Sequence, residues 1–211
     1  MRTFRLSILF LAAAGAAFAQ QWEFGGVGGG GFLSNVSVNS SVGTATAGFQ
    51  PGGAFGAFFG QNLYSHLTGE IRYEYLQNNL QISSGGQTAR FSGTAHAIHY
   101  DLLWHTGKKN SKVQYFAALG GGIKIFQGTG TEAAYQPLYQ FGYFTKTRAW
   151  KPMVSVGGGM TFALSQRIYL RTEFRDFITA FPKEIITPPT GVKYGSLLQD
   201  FVPMVGIDYV F

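Results

Sequence analysis

The histidines and the acidic residue beside them are the side chains whose types and spacing could do chemistry. His96 and His99 lie three positions apart, and Asp101 follows them. In a β-strand an odd separation puts two side chains on opposite faces, so these histidines cannot share a metal ion unless a bulge intervenes. His99 and Asp101 share a face and could form the histidine–carboxylate half of a catalytic triad, with Ser155 as the nucleophile. No motif marks Ser155 for that role, so we expect partnered polar groups and no catalytic, metal or cofactor-binding site.

Two other patterns suggest chemistry at first sight. Glu70 and Glu74 could act as an acid and a base, but Arg72 lies between them on the same strand face, which favours mutual neutralisation. The run Gly26-Val-Gly-Gly-Gly-Gly31 matches the phosphate-binding pattern G-x-G-x-x-G. It lacks the helix that would aim its N-terminus at a phosphate, so we interpret the glycines as room for curvature and for neighbouring side chains.

The elements that carry these residues are strands. Alternation of apolar and polar residues, broken by turn clusters, predicts eight of them. Their predicted bounds are 21–33, 52–61, 67–77, 90–105, 112–127, 148–164, 167–178 and 196–211. The connections alternate between long ones, 34–51, 78–89, 128–147 and 179–195, and short ones, 62–66, 106–111 and 165–166.

The first residues of the chain predict a secretory signal peptide. Met1–Arg5 is basic, Leu6–Phe18 is mostly apolar, and Ala17 and Ala19 form an A-x-A-like cleavage site. The stretch is short for a membrane anchor, which is the alternative and needs about 20 apolar residues. We therefore predict a signal peptide over residues 1–19 and a single domain over 20–211.

Composition favours a lipid-facing surface. Charged residues make up 12% of the chain and aromatic residues 16%, whereas a soluble domain normally has about 25% charged residues. Cysteine is absent, which excludes disulfides and thiolate chemistry. Loss of Arg2 and Arg5 with the signal peptide would leave a net charge of 14 − 10 = +4. This excess is spread along the chain, so we expect no nucleic-acid partner.

Charged side chains repeatedly occupy the strand face opposite the apolar one. In residues 70–76, for example, Glu70, Arg72 and Glu74 alternate with Ile71 and Tyr73. A β-sandwich would show the same alternation, but the low charge and the aromatic outer positions favour a barrel in lipid. The predicted lumen charge network is Glu70, Arg72, Glu74, Asp101, Lys124, Lys151, Arg171, Glu173, Arg175, Asp200 and Asp208.

The predicted fold is all-β, an eight-stranded antiparallel up-and-down transmembrane β-barrel preceded by a cleaved signal peptide. The last strand ends in Gly206, Tyr209 and Phe211, which resembles the C-terminal assembly signal polar-x-Gly-x-x-aromatic-x-aromatic of outer-membrane barrels. Met204 stands where that signal has a polar residue. With this motif and architecture the chain resembles the small outer-membrane barrels that include the OmpA transmembrane domain and OmpX.

The resemblance implies the outer membrane of a Gram-negative-type bacterium as the location. It also implies contact with outer-membrane lipid and lipopolysaccharide, and with the barrel-assembly machinery through the C-terminal strand. In such barrels the short turns face the periplasm, the long connections are external, and salt-bridged side chains often fill the lumen.

The long connections offer the surfaces for a function. Residues 34–48 are rich in Ser, Thr and Gly, and the segment 131–145 carries five aromatic residues, Tyr135, Tyr139, Phe141, Tyr143 and Phe144. These aromatics either contact an extracellular protein or glycan, or extend the barrel above the membrane. We expect a structural or surface-interaction role in envelope integrity or adhesion. A small OmpW-type pore for ions or small apolar molecules is the alternative, and a lipid-modifying enzyme that uses His99 ranks third.

Overall fold

The computed structural model describes residues 21–106 and 111–211. The predicted cleavage residues Ala17 and Ala19 lie outside the described residues, as does the rest of the predicted signal peptide. No helix in the described part of the chain is long and apolar enough to cross a membrane.

The described residues form fifteen strands. In chain order they are β1 Trp22–Leu33, β2 Val36–Ser40, β3 Gly43–Phe49, β4 Gly52–Tyr64, β5 Leu67–Gln77, β6 Leu80–Ser84, β7 Gln87–Phe91, β8 Gly93–His105, β9 Val113–Gly128, β10 Tyr143–Phe144, β11 Arg148–Ala163, β12 Ile168–Ala180, β13 Ile186–Thr187, β14 Lys193–Tyr194 and β15 Leu197–Val210. Eight of them close into a barrel in the order β1-β15-β12-β11-β9-β8-β5-β4. Every neighbouring pair is antiparallel, and the first and last strands meet, which confirms the predicted up-and-down barrel.

The register shows how strongly the strands are staggered. Directly paired residues can be followed once around the barrel, from His105 on β8 through Phe116 on β9 to Leu76 on β5. The path returns to β8 at Ala95, so the stagger is 105 − 95 = 10 residues. A stagger of this size in eight strands requires the strands to tilt, and the interior stays narrow enough for side chains to fill.

The two faces of the barrel wall differ as lipid requires. On β5, Ile71 is 54% exposed and Tyr73 is 44% exposed, while Arg72 and Glu74, which alternate with them, are buried inside. Aromatic side chains also lie outside near the end where β1 begins and β15 ends, and there Phe24 packs against Tyr209 and Phe211 with ring centroids 5.7 and 5.6 Å apart. An apolar outer band with aromatic margins is the surface that a transmembrane barrel presents to lipid.

The long connections fold into a second sheet, which corrects the prediction that 34–51 and 78–89 are loops. Hairpins β2–β3 and β6–β7 pair with each other and with β14 in the order β14-β2-β3-β6-β7, while β10 pairs with β13. The predicted fourth barrel strand also began too early, because Arg90 and Phe91 belong to β7 and the barrel strand starts at Gly93. We call this external sheet, with the segments 129–147 and 181–196, the cap.

The cap shares one apolar core with the external end of the bore. Val38, Ala47 and Ile82 from the inner face of the external sheet have no exposed surface. They belong to the same buried cluster as Phe126 and Phe177, which point into the bore from β9 and β12. Burial of apolar surface stabilises a folded protein by about 25 cal/mol per Å². Because the cap and the bore share one buried cluster, this stabilisation holds the cap on the barrel.

Candidate functional site

The bore is crossed at mid-height by an ionic network centred on Glu173. This β12 carboxylate accepts hydrogen bonds from Arg72 on β5 on the opposite wall, and from Arg171 and Arg175 on its own strand at 3.1 and 3.3 Å. Alternate residues of a strand share a face, which is why the three β12 side chains enter the bore together. All of these charged groups are at most 1% exposed.

A second carboxylate, Glu70, ties the same guanidinium groups together. It lies 2.9 Å from Arg72 and 2.8 Å from Arg171, and Arg72 also lies 3.0 Å from Glu74. Removing one member of a buried ion pair leaves an uncompensated charge and costs about 3–5 kcal/mol. The alternating charges therefore hold one another in the middle of the bore.

Aromatic rings complete the barrier on the side of the short turns. The Arg171 guanidinium carbon lies 4.5 Å from the ring centroid of Phe58 and 4.7 Å from that of Phe116. Both rings are buried in the bore, on strands β4 and β9, which lie three strands apart around the barrel. A cation between two ring faces is attracted to both of them, so this cross-section is filled by three side chains.

The structure places His99, Asp101 and Ser155 together, but the serine contacts the aspartate and not the histidine, as a catalytic triad would require. His99 Nδ1 lies 2.9 Å from Asp101, whose other oxygen accepts from Arg175 at 2.6 Å and from the Ser155 hydroxyl at 3.5 Å. A nucleophilic serine must donate to the histidine, whereas here both side chains contact the carboxylate. His96 lies on the opposite, outer face, 2.8 Å from the Tyr73 hydroxyl.

The remaining network residues extend the charges toward both ends of the bore. Toward the cap, Lys124 pairs with Asp200 and lies 5.1 Å from the ring centroid of Phe126. Toward the short turns, Asp208 lies 3.7 Å from Arg171. Lys151 is the exception among the predicted residues, because it sits at the external rim and pairs at 2.7 Å with Glu184 of the cap.

Sequence reasoning missed one carboxyl group of the bore, Glu23. It shares the inward phase of β1 with Gly25, which pairs directly with Asp208, so the two acids are diagonal neighbours. Both border a cavity of about 70 Å³ at the end where β1 begins and β15 ends, together with His105. The glycine-rich β1 shows no apolar–polar contrast, which is why the inward phase of Glu23 was not visible in the sequence.

Among the described residues no group of three or more acidic or histidine side chains could hold a metal ion.

The outer face of the cap is polar and regular. Ser37, Thr46, Ser83 and Thr88 stand directly opposite one another on β2, β3, β6 and β7, and form a row across four strands. Their alternation with the buried Val38, Ala45 and Ile82 turns them toward solvent.

The aromatic residues of the segment 131–145 divide between the two predicted roles. Phe141 and Phe144 are buried in the cap core, while Tyr135, Tyr139 and Tyr143 are exposed. The Tyr135 and Tyr139 rings contact each other with centroids 5.3 Å apart. Part of the aromatic set therefore builds the cap, and the tyrosines are displayed on it.

The predicted assembly signal lies where the barrel closes. Gly206 pairs with Val27 on β1, and a side chain at this glycine would collide with the backbone oxygen of Gly26. Tyr209 and Phe211 pack on each other and on Phe24 at the outer surface. These contacts explain why the fold needs a glycine and two aromatic residues at these three positions. Recognition by the assembly machinery stays a prediction.

Comparisons with known proteins agree with this architecture. No family model matches the chain, and no curated protein matches it. Among solved structures, the outer membrane protein OprG of Pseudomonas aeruginosa is similar, with a TM-score of 0.55 and 15% identity over 90% of this chain and 95% of that one. A major outer membrane protein of Thermus thermophilus gives 0.53 and 12% over 90% and 99%. Neisserial surface protein A gives 0.52 and 9% over 90% and 96%. The chain therefore has the small eight-stranded β-barrel fold that the sequence predicts, and it shares this fold with these outer-membrane proteins.

Proposed function

We propose that this protein is a non-conducting barrel whose cap presents a surface for interaction outside the cell, in adhesion or envelope integrity. The observation that carries the proposal is that the bore is filled at two separate levels. One level is the ionic network around Glu173, and the other is the apolar core that joins the cap to the external end of the bore.

The inward glycines support a filled bore rather than a pore. The OmpW-type alternative rests on small residues that leave space in the lumen. A methyl group at Gly157 would collide with Arg175, one at Gly159 with Phe116, and one at Gly120 with Asp101. These glycines make room for the side chains that fill the bore. Their small size therefore does not leave an open path for ions.

The cap supports an interaction role because it is ordered and displays recognition groups. Tyr194 of β14 donates to the Phe141 backbone oxygen at 2.8 Å, and burial raises the pKa of this tyrosine above its ordinary value. Such contacts hold the exposed tyrosines and the Ser/Thr row on a rigid base. Tyrosine is enriched at protein interfaces, and loops held on a rigid scaffold commonly carry binding functions.

Conductance tests the first half of the proposal. The refolded protein is inserted into a planar lipid bilayer after a heat-dependent shift in gel mobility has established a folded barrel. We expect no steady current, whereas reproducible single-channel steps would overturn the proposal in favour of the pore.

An adhesion assay tests the second half. A deletion strain is complemented either with the full chain or with a variant in which short turns replace residues 36–49 and 80–91. We expect both barrels to reach the outer membrane in equal amounts and only the full chain to restore attachment to host protein or glycan layers. Equal attachment by both strains would contradict a role for the cap.

A further inference from the structure

The cavity of about 70 Å³ at the short turns is a dead end of the bore. Its inner wall is Arg171, which is 1% exposed, and its outer wall includes Tyr64 and Ser65 at the turn between β4 and β5, which are exposed. The cavity therefore opens to solvent beside this turn and ends where Arg171 lies between Phe58 and Phe116. A small ligand can enter it without passing through the bore.

Two carboxyl groups enter the cavity from neighbouring strands. Glu23 of β1 and Asp208 of β15 are diagonal neighbours on the inward face, and both line the cavity. Glu23 lies over Gly60 of β4, where a Cβ atom would be 2.7 Å from the Glu23 carboxylate oxygen. The missing side chain of Gly60 therefore makes room for this carboxylate at the cavity wall.

The two carboxyl groups are incompletely paired within the described part of the chain. Asp208 is 3% exposed, and its Oδ1 has no hydrogen-bond partner among the described residues. Its other oxygen lies 3.7 Å from Arg171, whose guanidinium is closer to Glu70 and Glu173, at 2.8 and 3.1 Å. Arg171 forms no ion pair with Glu23. Buried carboxylate oxygens normally have donors, so these groups indicate a ligand that donates hydrogen bonds.

The charges around the cavity favour a cation over an anion. Arg171 is already engaged by Glu70 and Glu173 and lies between two aromatic rings, so it does not offer a free positive group. His105 also lines the cavity, and both of its ring nitrogens lack a hydrogen-bond partner among the described residues. A neutral imidazole adds one acceptor. The cavity is therefore acidic and rich in acceptors.

An ammonium ion suits these groups better than a metal ion does. Ca²⁺ takes about six to eight oxygen ligands, whereas no set of three or more acidic or histidine side chains within residues 21–106 and 111–211 could hold a metal ion. A primary ammonium group has three donors. Glu23, Asp208 and the Thr161 hydroxyl all line the cavity and can accept from it.

The size and the apolar part of the cavity suit a short alkyl chain behind the ammonium group. A cavity needs about 10–15 Å³ for each water-sized group, so 70 Å³ holds about five to seven of them. The butylammonium ion, which is also the end of a lysine side chain, has five non-hydrogen atoms. Leu67 and Val210 line the cavity as well and offer apolar surface to the methylene groups, whose burial is favourable.

We infer that this cavity binds the primary ammonium group of an alkylamine. The ammonium group lies between Asp208 and Glu23, and the alkyl chain runs toward the turn at Tyr64. Two sources carry this chemistry, a free diamine and the lysine side chain of a polypeptide that approaches the short turns. The site is separate from the cap, so it does not depend on the proposed surface role.

The test is an NMR titration of the full isotope-labelled barrel in lipid nanodiscs, with butylammonium chloride as the probe. Butanol has the same chain without the charge, and magnesium chloride tests for a metal site. Asp208→Asn and Glu23→Gln each remove one carboxylate. Asp176→Asn is the matched control, because Asp176 lies outside the cavity on β12 and accepts a hydrogen bond from Gln199 at 3.0 Å. A heat-dependent shift in gel mobility verifies that each variant is folded.

We expect butylammonium to shift the amide signals of Glu23, Thr161 and Asp208 in a saturable way, and butanol to leave them unchanged. Asp208→Asn and Glu23→Gln should each weaken binding about tenfold or more, because a hydrogen bond between two charged groups is lost. Asp176→Asn should bind as the unaltered chain does. Equal binding of butanol, or binding that neither carboxylate variant weakens, would overturn the inference. Magnesium that binds more tightly than butylammonium would also overturn it, in favour of a metal site.

Two further ligands distinguish the sources of the ammonium group. Cadaverine represents a free diamine, and acetyl-lysine methylamide represents a lysine side chain within a polypeptide. Tighter binding of cadaverine would assign the site to free diamines, and tighter binding of the lysine derivative would assign it to a polypeptide. Either result supports the inference, whereas failure of both ligands to bind would contradict it.

Discussion

At the residue scale, the ionic network around Glu173 depends on side chains that neutralise one another across the bore. Arg72 and Glu173 are 101 positions apart in the chain yet form the central contact of the network. The sequence predicts that both face the lumen, because each lies on the charged phase of its strand. It cannot predict the pair, because the partner is set by the stagger of the barrel and by the rotamers inside it.

Removal of one guanidinium tests this interdependence. Arg72→Met leaves Glu70 and Glu74 with fewer partners and should lower the free energy of unfolding by about 3–5 kcal/mol. Arg148→Met, at an exposed position, should change it by less than about 0.5 kcal/mol. Urea titration of the micelle-bound barrel, read by the folded and unfolded gel bands, measures both. Equal effects would show that the network does not stabilise the barrel.

At the element scale, the barrel strands were easier to predict than the cap strands, for a physical reason. Each barrel strand faces lipid on one side, so large apolar residues such as Ile71 alternate with charges such as Arg72. In β3 the buried face carries small residues, Ala45 and Ala47, and the other face carries threonine. That composition is also typical of loops. The alternation of Val36 and Val38 with polar residues is the signal that could have revealed the hairpin.

A rim contact between elements predicts a pH response of the cap. Burial opposes ionisation of Glu184, but the hydrogen bond from Lys151, a backbone hydrogen bond and the Lys151 charge together outweigh it and hold the pKa of Glu184 below its ordinary value of 4.5. A carboxyl group with a lowered folded pKa stabilises the fold fully above its unfolded pKa, and this contribution is lost as pH falls through the folded value. Amide exchange at Ile185 and Ile186 should therefore accelerate below about pH 4.5 beyond its intrinsic pH dependence. Glu184→Gln should remove that extra response, and an unchanged response in this variant would refute the assignment.

At the scale of the whole molecule, the two closures lie in series, and this arrangement makes the strongest prediction. Replacing residues 36–49 and 80–91 by short turns opens the cap but leaves the network around Glu173. Conversely, Arg72→Ser and Glu173→Ser combined with Phe58→Ala and Phe116→Ala thin the network, remove both partners of one pair and both rings around Arg171, and leave the cap core. Either change alone should stay silent in a planar bilayer, because one barrier suffices to block ions. Both together should conduct.

The charge balance of the bore predicts the selectivity of that opened variant. Among the described residues, seven carboxyl groups face it, Glu23, Glu70, Glu74, Asp101, Glu173, Asp200 and Asp208, against four arginine and lysine side chains, Arg72, Lys124, Arg171 and Arg175. Loss of Arg72 and Glu173 leaves six against three, so the excess of 6 − 3 = 3 acids persists. Acidic side chains that face a pore favour cations, and the reversal potential in a salt gradient should report cation preference. Anion preference would mean that the acids in the bore carry protons, and conduction by either single variant would show that the closures do not act in series.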